Sequence, residues 1–67
     1  MKINSFVVET ILASRGVSRK SLADSADISR QNVSTILRRG TCRPETAGKI
    51  ARALGVPVEQ IAAGGDR

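Results

Sequence analysis

Three features of the chain predict an all-α fold of five short helices around one aliphatic core. Apolar residues recur at helical spacing in successive stretches, and none alternates with a period of two over a useful length. The stretches are punctuated by residues that start and stop helices. Phe6 is the only aromatic among 67 residues, so the core must come from Val, Ile, Leu and Ala. Closely packed short helices suit that palette better than a sandwich or barrel, which draws on aromatic and β-branched runs. Residues 1–63 read as one domain and residues 64–67, GGDR, as a flexible tail.

The elements follow in order. Asn4 caps a first helix running to about Arg15, with Gly16 just beyond it. Ile3 before that cap and Val8 inside the helix have the spacing of a hydrophobic staple. Ser18 caps a second helix through about Ser25, carrying Leu22 and Ala23 on its inner side. Ser29 caps a third, from Arg30 to about Arg39, which stops at Gly40 and turns Val33, Ile36 and Leu37 inward. Pro44 stands at the first position of a fourth helix that continues to Leu54, before Gly55. Pro57 opens a last short helix through about Ala62. Gly48, inside the fourth helix, costs about 1 kcal/mol against alanine, which predicts close packing of another helix there. Val56, Val58 and Ile61 are expected to close the core, with any remainder reaching a partner.

Composition narrows the chemistry. Cys42 is the single cysteine and there is no histidine, so imidazole catalysis, an internal disulfide and a zinc cage are all out of reach. No metal or other cofactor is expected, and no carboxylate pair or glycine-rich phosphate loop suggests an enzyme. Neither a signal peptide nor a membrane span is legible, so a cytoplasmic location is expected. The formal charge of +5 suits a polyanion, because each cation that neutralises a phosphate releases a counterion.

Residues 19–36, RKSLADSADISRQNVSTI, concentrate that chemistry. Two helices joined by a tight turn need a small residue where they cross, and Ala23 supplies it. Ile28 fits under the turn, while Val33 and Ile36 face inward from the second of the two helices. Its outward face then carries Arg30, Gln31, Asn32 and Thr35. Arginine matches guanine O6 and N7 in the major groove, and glutamine or asparagine matches adenine N6 and N7. The plainer role for that face is solvation alone.

In this order and spacing the residues resemble the phage-repressor type of helix-turn-helix, the Cro/C1 or XRE family. The resemblance covers nearly the whole chain: Val17 and Ser18, Leu22 and Ala23, residues 29–36, the segment IARALGV at residues 50–56, and Val58, Glu59, Gln60 and Ile61. It implies a lambda-repressor-like fold with the helix-turn-helix on the second and third helices. It also implies binding to double-stranded operator DNA, most often as a symmetric homodimer that represses transcription by occupancy. Arg30, Gln31, Asn32 and Thr35 would read base edges. Ser18, Arg19 and Ser29 would grip phosphate at helix starts, and Arg38, Arg39, Thr41 and Arg43 would do so after the recognition helix. Arg38 and Arg39 also complement the helix macrodipole.

The chain departs from the family pattern at three places. Asp27 stands where the family favours glycine, and aspartate tolerates the left-handed conformation better than most residues. Gly40 arrives one residue late, which shortens the loop to Pro44. Leu12 and Leu37 replace an arginine and a glutamate that pair between helices in many relatives, and are expected to meet in the core. Lys49 and Arg52 read as surface charge, and Cys42 as a loop residue. A different class of function remains open: an antitoxin-like or accessory module whose main partner, a toxin or another protein, is not DNA.

Overall fold

The computed structural model describes residues 1–63; the expected tail at 64–67 lies outside the described residues. The helices are α1 (Ser5–Arg15), α2 (Arg19–Ala26), α3 (Arg30–Arg39), α4 (Pro44–Leu54) and α5 (Val58–Ile61). Each bound falls within a residue or so of its sequence expectation. The caps explain why. Asn4 accepts from the Val7 amide, Ser18 from Ser21 and Ser29 from Asn32, at 3.2, 3.1 and 3.0 Å. Each side-chain oxygen thereby satisfies one of the amides that a helix start leaves without an internal partner.

Three of the helix ends share a single device. Gly16, Asp27 and Gly55 adopt left-handed backbone, and the following residue donates back five positions: Val17 to Leu12, Ile28 to Ala23, Val56 to Ala51. Asp27, with φ of 59°, is the one non-glycine among the described residues with positive φ. The turn between α2 and α3 therefore keeps its geometry without the family's glycine. Ile28, at its apex, packs half-buried against the core, as its place under the turn predicts.

The core is aliphatic throughout, and no polar or charged side chain is buried among the described residues. α2 sits at its centre, packed on both α3 and α4, while α5 bridges α4 and α1. Leu12 and Leu37 are both buried in this one cluster, which excludes a solvent-exposed fate for either. Ile3 and Val8 of the anticipated staple join the same cluster. Ile61 is fully buried, whereas Val56 and Val58 are only half-buried against the core. Phe6 stands 79% exposed, so the core does without its single aromatic.

Gly48 requires correction. A Cβ built there meets nothing within 4 Å, so no neighbouring helix presses on it. Its intrinsic helix cost is not offset by a close approach.

Backbone pairing, which helical periodicity does not report, ties down the first residues. Residues 1–3 run between the segment after α3 and the end of α5, forming isolated antiparallel bridges from Lys2 to Thr41 and Ile3 to Ala62. The Ile3 amide donates to the Gly40 carbonyl and the Asn4 amide to Ile61, both at 2.7 Å. The end of α3 is thus anchored by main chain to the segment that leads into α1. A hydrogen bond from Ser5 Oγ to the Leu37 carbonyl, 2.6 Å, reinforces it. At the opposite end, the Arg15 guanidinium donates to the Leu54 carbonyl and caps α4 from α1.

Candidate DNA-binding surface

α3 is amphipathic in the strict sense. Val33, Ile36 and Leu37 are buried, while Arg30, Gln31, Asn32, Arg38 and Arg39 are exposed and Thr35 is half-buried. At 100° per residue, Gln31, Thr35 and Arg38 fall on one outward stripe, with Asn32 and Arg39 on its flank and Arg30 toward the other side. Arg38, expected to touch phosphate, therefore shares the stripe of the expected base readers.

A groove of about 530 Å³ runs beside that stripe, between α3 and the start of α4. It gathers Asn32 and Thr35 from the expected base readers with Arg39, Thr41 and Arg43 from the expected phosphate grips. Thr46, in the first turn of α4, joins the same lining, and nothing in its local sequence signals that this turn borders the groove. Ser18, Arg19, Ser29, Arg30, Gln31 and Arg38 lie outside this groove.

The two serines differ. Ser18 Oγ accepts from the Ser21 amide and points its own hydrogen at Ser21 Oγ, 3.2 Å away, so its hydroxyl is engaged within α2. Ser29 Oγ accepts the Asn32 amide and its hydrogen remains free to donate outward.

The helix starts carry a pattern that stability alone does not select. A helix N-terminus is the positive end of its dipole and favours nearby carboxylates. Yet Arg19 opens α2, Arg30 opens α3, and Arg43 caps α4. The first turns of α2 and α3 hold no acidic residue. Arg43 contributes no side-chain cap to α4, although Glu45 stands in its first turn. Each such cation opposes the dipole by roughly 0.3–1 kcal/mol. An external anion there would be attracted by both the cation and the positive end of the helix. Among the described residues only Arg19 has an ion-pair partner, Glu9, with Oε1 2.7 Å from Nη2. That partner was not legible either, since the two residues sit on different helices.

Cys42 lines the groove between Thr41 and Arg43, and burial pushes its thiol above the ordinary range. A thiol held protonated is a poor nucleophile. Alkylation by iodoacetamide at mildly alkaline pH is therefore expected to run several-fold slower in the folded protein than in urea, and equal rates would contradict this placement.

A recognition helix with a polar outer stripe, seated on a second helix across a tight turn and ringed by arginines at helix starts, defines a helix-turn-helix DNA-binding domain. The chain belongs to the Cro/C1-type HTH DNA-binding domain family, whose model matches residues 8–63. Comparison with curated proteins gives no significant match. Among solved structures, the chain is similar to native PhpD with cadmium atoms and to PhpD with cadmium complexed with hydroethylphosphonate. Each superposes with a TM-score of 0.81 at 27% identity over all of this chain. The chain spans only 15% of the length of those proteins.

Proposed function

We propose that this domain reads duplex DNA with α3 and acts as a transcriptional regulator, most simply a repressor that occupies its operator. The observation that carries the reading is the set of arginines at three successive helix starts, Arg19, Arg30 and Arg43, set against the local dipole and flanking one polar stripe. DNA supplies the missing anions at regular spacing. Gln31, Thr35 and Asn32 would meet base edges, joined by Arg30 on one side, and these contacts would carry specificity. Ser29, Arg38, Arg39, Thr41 and Arg43 would hold phosphates and fix the register, as would Arg19 once released from Glu9. Ser18 would contribute through its cap rather than its committed hydroxyl.

A symmetric homodimer in the cytoplasm is the natural working form, because one short helix covers too few base pairs to be selective. The half-buried Val56 and Val58 are available to contribute to its interface. Half-sites would then lie about one helical turn apart.

The test is selection of the purified protein against fragments of its own genome at near-physiological salt. Enrichment of an inverted repeat supports the reading. Weak, salt-sensitive binding without any enriched sequence contradicts it. That result would favour the second reading, a module within or beside a larger protein, serving a partner such as a toxin. One observation supports the alternative: in PhpD the matching region is only 15% of the chain, so there the fold is one part of a larger protein. The cadmium and hydroethylphosphonate named there belong to that protein. Among the described residues of this chain no three metal-ligating side chains come together.

A further inference from the structure

We propose that Glu9 is a positioning residue that stands in for a DNA phosphate at the start of α2, holding Arg19 in the free protein and weakening DNA binding of every sequence alike. This rests on the DNA-binding reading above. Arg30 and Arg43 have no carboxylate within ion-pair distance among the described residues, whereas Arg19 is met by Glu9 from α1 at 2.7 Å. Glu9 thus supplies from another helix the negative charge that the first turn of α2 lacks.

Both side chains are about half-exposed, 44% for Arg19 and 50% for Glu9, so the pair is screened and exchangeable rather than fixed. A phosphate offers the guanidinium the same forked acceptor geometry as a carboxylate. For a phosphate to take Arg19, the Glu9 carboxylate must be released beside the DNA backbone, where like charges repel. The penalty falls on a backbone contact, so it lowers overall affinity and leaves base preference untouched. One fewer cation is then available to displace counterions.

Fluorescence anisotropy with a short mixed-sequence duplex, over a salt series, tests this with Glu9→Gln, Arg19→Gln, the double variant and Glu59→Gln. Glu59 lies on α5, forms no ion pair among the described residues, and controls for net charge. Circular dichroism verifies that each variant keeps its helices. Glu9→Gln is expected to tighten binding about three-fold near 0.1 M salt and to steepen the slope of log K against log salt by about 0.9 per protomer. Glu59→Gln should do less, and Glu9→Gln should give no gain once Arg19 is glutamine. A gain that matches Glu59→Gln, a gain that survives in the Arg19→Gln background, or a loss of affinity overturns the proposal while leaving the DNA-binding reading intact. Absence of salt-dependent duplex binding by the unaltered protein overturns both.

Discussion

Leu22→Ala is expected to abolish the cooperative fold near physiological temperature. Leu22 is among the largest fully buried side chains and belongs to the helix that packs on both α3 and α4. Truncating a buried leucine removes its transfer free energy and leaves a cavity, together about 2–5 kcal/mol. A single core in so small a domain rarely supplies more than about 3–5 kcal/mol in total. No disulfide is available to make up the difference, because Cys42 has no partner. Thermal denaturation followed by circular dichroism should show the midpoint falling by at least roughly 10 °C, or no transition at all. Phe6→Ala removes a larger side chain, but one that is 79% exposed, and should leave the midpoint nearly unchanged. Comparable losses for the two variants would contradict the assignment of core and surface.

Raising salt from about 50 to 200 mM is expected to lower duplex affinity by roughly 10³-fold. Arg38, Arg39 and Arg43 have no internal ion-pair partner among the described residues. Each phosphate they neutralise adds about 0.9 to the slope of log K against log salt, and a dimer doubles the count. Replacing Arg39 and Arg43 by alanine should flatten that slope by about two per protomer and weaken all sequences alike. A wild-type affinity that barely responds to salt would mean that these arginines do not face phosphate.

Much of the fold was legible because its boundaries are local chemistry. Asn4, Ser18 and Ser29 are recognisable as caps within a few residues of the amides they satisfy, and Gly16, Gly40 and Gly55 mark the ends without reference to tertiary structure. The outward stripe of α3 was legible for the same reason, since its members lie about half a helical turn around the axis from Val33 and Ile36. Contacts between distant segments were not. The bridges from Lys2 to Thr41 and from Ile3 to Ala62 join backbone to backbone and leave no pattern in side-chain type. The Glu9–Arg19 pair and the Arg15 cap on Leu54 depend on how α1 crosses its neighbours. Gly48 misled for a related reason. Its cost in a helix is intrinsic, but whether another helix presses on it is a tertiary fact, and here none does.

The most direct test of the central claim, that the α3 stripe reads bases while the surrounding arginines hold backbone, is a base-by-base affinity profile across the selected site. It should be measured for the unaltered protein, Gln31→Ala and Arg43→Ala. Gln31→Ala is expected to lose about 1–3 kcal/mol of discrimination at a defined base pair and to keep its preferences elsewhere. Arg43→Ala should lower every point of the profile by a similar factor. A Gln31→Ala profile that runs parallel to that of the unaltered protein would show that α3 does not read sequence through this residue, and would contradict the account.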